Sequence, residues 1–172
     1  MNKFNILGTK YNTDKVYAHH YDEIYDFFLK DYYDKEGAIL EIGIFQGASL
    51  NMYLELFNKA YIYGIDIGSY SSGDRYTIFQ CDQSKEEQLD IVLKSLNEDN
   101  KNLFYINDDG SHIPHHQILT FNKLFPLLSP GGIYIIEDVG TSYLENTQCY
   151  GYSLNYGYKK IYSCSFFYVI FL

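Results

Sequence analysis

Basic residues are scarce in this chain. Thirteen Lys and Arg face 22 Asp and Glu, a formal net charge of −9. No basic run is longer than Lys159–Lys160, so the cationic face that nucleic acids or anionic membranes need is missing. Cysteine is sparse too: Cys81, Cys149 and Cys164 form no CxxC pair. A disulfide framework and a cysteine zinc site are excluded, and an odd, low count suits a reducing compartment. The opening MNKFNILGTKYNTDK has no apolar stretch of signal-peptide length. The closing SFFYVIFL is far shorter than the ~20 residues of a membrane helix. The expectation is a cytoplasmic protein with no membrane and no nucleic-acid partner. Internal repeats, low-complexity linkers, GxGxxG and HExxH are also absent.

What is present is bulk apolar material. Hydrophobic residues make up 47% and aromatics 19% of 172 residues, enough for one domain with a core. Strand-like and helix-like stretches alternate. YAHHYDEIYDFFL places Tyr17, His20, Tyr21, Ile24, Tyr25, Phe28 and Leu29 on one helical face, with Thr13 or Asp14 as its cap. The spacing predicts strands over 38–44, 61–67, 76–82, 103–108 and 133–139 and helices over 46–60, 84–96 and 115–128. Near-continuously apolar strands alternating with helices indicate a parallel sheet covered on both faces, hence a doubly wound α/β fold. The organisation read from this is a helical lead-in (1–35), a sheet core (36–140) and a Tyr-, Ser-, Asn- and Gly-rich tail (141–172).

In such a sheet, ligands bind at the carboxyl ends of the strands. All five predicted strands finish there with an acid: Glu41, Asp66, Asp82, Asp108–Asp109 and Glu137–Asp138. One such acid is commonly a cap or a solvated loop residue. Five at one edge repel one another unless a cation or a hydroxyl-rich ligand lies among them. Gly43 and Gly47 let the backbone turn and approach a ligand before a helix. Asp66, at the end of the next strand, stands where an acid accepts hydrogen bonds from ribose hydroxyls. Ribose without a pyrophosphate fingerprint suggests a nucleoside cofactor such as S-adenosylmethionine. INDDGSHIPHH (106–116) adds His112, His115 and His116 to two adjacent acids. An H-x-x-H-H spacing could hold zinc, but no cysteine joins it, and a zinc hydrolase is disfavoured. His20 reads equally as a core histidine or an acceptor contact, and Tyr17, Tyr21 and Tyr25 read as core. Asn107 interrupts a buried strand and is expected to bond a neighbouring loop.

TDK…HHYDEIY (13–25), LEIGIFQGASL (40–50), YGIDI (63–67), CDQS (81–84), DDGSHIPHH (108–116), FPLLSPGGIYIIED (125–138) and TSY (141–143) occur in one order. Together they resemble the metal-dependent sugar O-methyltransferases of the macrocin and mycinamicin type, class I enzymes that use S-adenosylmethionine. The resemblance implies a Rossmann-like sheet of strand order 3-2-1-4-5. It places metal ligands on Asp109, Glu137 and Asp138 and a general base on His112. It places the cofactor against Glu41, Gly43, Gly47, Asp66, Asp82 and Gln83, with Thr13, Lys15 and Asp108 at the same site. Three carboxylates form a hard oxygen site that favours Mg²⁺ over zinc. The implied reaction is methylation of a sugar hydroxyl.

Class I methyltransferases carry seven strands, and 34 residues follow Asp138. Strands six and seven are therefore expected to be missing or incomplete, with YKKIYSCSFFYVIFL supplying one strand or a short helix. An exposed sheet edge and an apolar tail favour self-association into a homo-oligomer. Two other readings remain open at this point: a truncated, catalytically silent relative that binds cofactor or a partner protein, and a nucleotide-dependent oxidoreductase, which the missing GxGxxG disfavours.

Overall fold

The computed structural model describes residues 1–156 and 167–172. Lys159, Lys160 and Cys164 lie outside the described residues. Five strands run parallel: β1 (Gly37–Ile42), β2 (Ala60–Asp66), β3 (Tyr76–Gln80), β4 (Leu103–Asp108) and β5 (Ile133–Glu137). The sheet order is β3-β2-β1-β4-β5, with β8 (Phe167–Phe171) added antiparallel beyond β5. The order reverses between β1 and β4, and a doubly wound sheet opens a crevice at that point.

Alternation along β1 explains both faces. Ile39 points to one side and packs with Phe4, Tyr25, Leu29, Tyr53, Phe57 and Tyr105. Those residues come from α1 (Lys3–Tyr11), α3 (Asp22–Leu29), α4 (Ala48–Leu56) with its C-terminal cap Phe57, and β4. Ala38, Leu40 and Ile42 point to the other side and pack with Leu89, Val92, Leu96 and Leu124 from α5 (Glu86–Asp99) and α6 (Pro114–Leu124). The period of two gives each strand a residue for each helical layer.

Two elements differ from the sequence reading. The single helix expected from Tyr17 onward is two: α2 (Asp14–Tyr17) and α3, separated by a turn in which His20 adopts φ +55°. The Tyr21 amide donates to the Lys15 carbonyl across that turn. Tyr17, His20 and Ile24 are exposed as a result. The buried stripe is Tyr21, Tyr25 and Leu29, an i, i+4, i+8 phase within the same apolar run. α1 was not read from the sequence. Its start is marked by Asn2, whose side chain accepts from the Asn5 amide at 2.7 Å.

The tail contributes one strand to the main sheet. Ile135 pairs with Val169, and the Gly131 amide donates to the Leu172 carbonyl at 2.9 Å. β6 (Thr147–Cys149) and β7 (Tyr152–Leu154) form a separate two-stranded hairpin. Among the described residues, no helix is long and apolar enough to cross a membrane.

Candidate active site

The carboxyl ends of the parallel strands surround a cleft of about 670 Å³. Thr13, Gly43, Asp66, Asp82, Gln83 and Asp109 line it, as do His112 and Asp138. Gly43 has φ +90°, and a Cβ there would overlap the Asp109 carbonyl oxygen. Backbone of β1 and β4 can therefore close together only with glycine at this position. Gly47 stands just before α4 and donates its amide to the Ile44 carbonyl. Asp66 organises the loop it faces: Oδ2 accepts from the amides of Ile44 (2.7 Å) and Phe45 (3.0 Å), and Oδ1 from Gly68 (2.7 Å). Asp82 accepts from the Ser84 amide at 2.9 Å. Burial works against its charge, but the Ser84 hydrogen bonds hold its carboxyl below the ordinary value. Gln83 ties two loops together, accepting from the Ser111 amide at 2.6 Å and donating to Asp108 at 3.3 Å. A Cβ on Gly110 would overlap Gln83 Oε1, so a side chain there would displace Gln83 from its bond to Ser111.

Four residues expected at the cofactor do not line the cleft: Gly47, in the turn before α4, and three buried side chains. Asp108 is fully buried behind it, where Thr120 donates to Oδ2 at 2.5 Å and burial pushes its carboxyl up to about 6. Glu41 is likewise fully buried, accepts from the Ser49 hydroxyl at 2.8 Å, and is pushed by burial up to about 7. Lys15, read from the sequence as a neighbour of the cofactor, points inward instead and is 1% exposed. Its ammonium donates to Asp109 Oδ2 and, at 2.6 Å, to Glu137 Oε1, with Glu41 Oε1 at 3.9 Å. The reason is electrostatic: three buried carboxylates need a cation more than the cleft does. Burial alone would discharge Lys15, but these acids hold it well above the ordinary lysine value. Burial and the Glu137 charge push Asp109 up, while Lys15, Tyr25 and Asn107 hold Glu137 down against its burial.

Asn107 explains its place in a buried strand. It bonds a neighbouring strand rather than a loop: its amide donates to Glu137 Oε1 at 2.9 Å, and its carbonyl accepts from Tyr25 at 2.9 Å. Tyr25 also donates to Glu137. Tyr25 and Asn107 were missed as site residues, although a polar residue inside an apolar strand was the available signal.

At the mouth, Asp109, His112 and Asp138 each offer a ligand atom, all within 4.8 Å of one another. His112 (φ +57°) and Asp138 (φ +52°) both adopt left-handed backbone, a strained arrangement that surrounding contacts must hold. Thr141 supplies one such contact, donating to the His112 carbonyl. His112 lies 4.0 Å from Asp109 and 3.8 Å from Asp138. Its Nδ1 is buried and makes no hydrogen bond among the described residues. Burial lowers its pKa, so the ring is neutral near pH 7. Glu137 is not part of this mouth cluster; it reaches the same centre through Asp109 and Lys15. The three histidines do not converge. His115 bonds Tyr156, and His116 bonds Ser111 at 2.9 Å, its pKa pushed down to about 4 by burial. A hard cation fits the clustered carboxylates of this set, and the neutral imidazole beside them is free to accept a proton. A nucleoside fits the cleft beside it, with Asp66 and Asp82 on its wall.

No family model matches the chain. It is 35% identical over 147 residues to the mycinamicin VI 2''-O-methyltransferase of Micromonospora griseorubida, covering 80% of this chain and 36% of that protein. It is 35% identical over 149 residues to the demethylmacrocin O-methyltransferase of Streptomyces fradiae, covering 81% and 37%. Among solved structures, the MycE methyltransferase of mycinamycin biosynthesis, in complex with Mg and SAH, superimposes with a TM-score of 0.74 at 34% identity, over 83% of this chain and 38% of that one. The chain thus spans less than two fifths of the length of the relatives it matches.

Proposed function

We propose that this chain, whose homologues at 30–35% identity are sugar O-methyltransferases, binds S-adenosylmethionine in the cleft and, with Mg²⁺, methylates a sugar hydroxyl. The carrying observation is the convergence of Asp109, His112 and Asp138 within 4.8 Å at the mouth of a cleft walled by Asp66 and Asp82. Asp109, Glu137 and Asp138 would hold the metal. When bound, S-adenosylmethionine supplies the methyl group, and Mg²⁺ lowers the pKa of the acceptor hydroxyl.

The chain's own residues supply the rest. Asp66 presents carboxylate lone pairs to ribose hydroxyls while its amide contacts keep the loop rigid. Gly43 keeps side-chain bulk out of the approach to Asp109. His112, neutral at pH 7, accepts the hydroxyl proton at Nε2, and the resulting imidazolium lies between Asp109 and Asp138. Positioning acceptor oxygen and methyl group in line is the main task of such a site.

Titration with S-adenosylmethionine, with and without Mg²⁺, tests the reading. Binding that Mg²⁺ strengthens, and a mass gain of one methylene on a nucleotide-sugar or glycan pool, is the expected result. No cofactor binding in either condition overturns it. Binding without transfer to any sugar favours a catalytically silent relative instead.

A further inference from the structure

Lys15 brings a cation into an acid site that is also suited to a metal. Its ammonium holds Asp109 Oδ2 and Glu137 Oε1. Mg²⁺ takes its oxygen ligands at about 2.0–2.1 Å. An ammonium 2.6 Å from one of those same oxygens competes for the same place. A second acceptor stands beside it. Glu41 Oε1 is buried, 3.9 Å from Lys15 Nζ, and makes no hydrogen bond among the described residues. Glu41 Oε2 is already satisfied by Ser49 at 2.8 Å. A buried carboxylate oxygen without a donor is costly, and the donor that would satisfy it is one short side-chain movement away.

We propose that Lys15 is a two-position internal cation, resting on Asp109 and Glu137 when no divalent cation is bound and moving onto Glu41 Oε1 when those two carboxylates engage one. This rests on the metal-ligand assignment made under the proposed function. Lys15 is buried and does not line the cleft, so it is a positioning residue. Its presence keeps the acid centre compact without metal and weakens metal binding. Glu41 offsets part of that weakening by receiving the displaced ammonium.

Calorimetric titration of Mg²⁺ at pH 8, where Glu41 is ionised, into protein saturated with S-adenosylhomocysteine tests this on wild type, Lys15→Met, Glu41→Gln and the double variant. Lys15→Met is expected to bind Mg²⁺ roughly tenfold tighter, and Glu41→Gln roughly tenfold weaker. In the Lys15→Met background, Glu41→Gln is expected to lose most of its effect, because no ammonium remains to be received. Equal effects of Glu41→Gln in both backgrounds overturn the two-position device and leave simple charge addition. Unchanged or weaker Mg²⁺ binding by folded Lys15→Met overturns it as well. Glu41→Gln keeps the shape of its side chain, so an unchanged affinity in that single variant is decisive even if Lys15→Met fails to fold. Absence of Mg²⁺ binding by wild type is a separate result, which removes the metal-dependent reading itself.

Discussion

At the scale of single residues, the site depends on a histidine in unusual surroundings and on a glycine where no side chain fits. His112 is a buried imidazole with lowered pKa and left-handed backbone. A base must be neutral to accept a proton, so methyl transfer should rise with pH through a midpoint below the ordinary histidine value and then level off; the pH–rate profile checks this. His112→Ala is expected to lower turnover by about 10²–10⁴-fold while S-adenosylmethionine binding, measured by calorimetry, survives. Near-wild-type turnover in that variant would remove His112 from its role. Gly43→Ala places a methyl group against the Asp109 carbonyl in a conformation alanine resists. A loss of about 2–3 kcal/mol of stability by urea unfolding, together with weakened cofactor binding, is the expected outcome.

At the scale of elements, the acids are held from behind by helices. α6 reaches β4 through Thr120, whose hydroxyl donates to the buried Asp108. Thr120→Val keeps the shape and removes the donor. The expected cost is about 1–3 kcal/mol at pH 8, where Asp108 is ionised, and less at pH 5, where it carries a proton. Equal costs at both pH values in urea unfolding would show that the bond does not serve the charged form. The loop following β1 is held in the same manner, by Asp66 rather than by a helix. β8 closes the far edge of the sheet, pairing from Phe167 to Phe171 with β5. Position 169 lies in a stretch read as one strand or a short helix, with no partner assigned, because a five-residue apolar strand has no signature of which neighbour it will pair with.

At the scale of the whole molecule, buried titratable groups make stability depend on pH in opposing directions. Glu41 and Asp108 have raised values, about 7 and about 6. Each folded carboxyl holds its proton where the unfolded one has lost it. Their contribution is therefore present at low pH and is lost as pH rises from about 4 through those values. His116, pushed down to about 4, acts the other way: its contribution falls as pH drops from about 6.5, where the unfolded ring begins to take a proton. Glu41→Gln should flatten the urea midpoint between pH 5 and pH 8, leaving the loss on the acid side in place. An unaltered pH profile in this variant would show that Glu41 is ionised throughout. The sequence by itself determined the doubly wound sheet, because strand and helix periodicities are local and survive in any single stretch. It also determined that an acid stands at the end of every parallel strand, because chain order places those ends at one edge. Tertiary structure alone decided which acids face the cleft and which face inward. Asp66 and Asp82 line the cleft, whereas Glu41, Asp108 and Glu137 lie behind it, and Lys15 joins the inner group across 94 residues of sequence to Asp109. No local pattern encodes that choice: it is the outcome of burying several carboxylates together, which is tolerable only where a cation or hydrogen-bond donors from distant elements are packed among them.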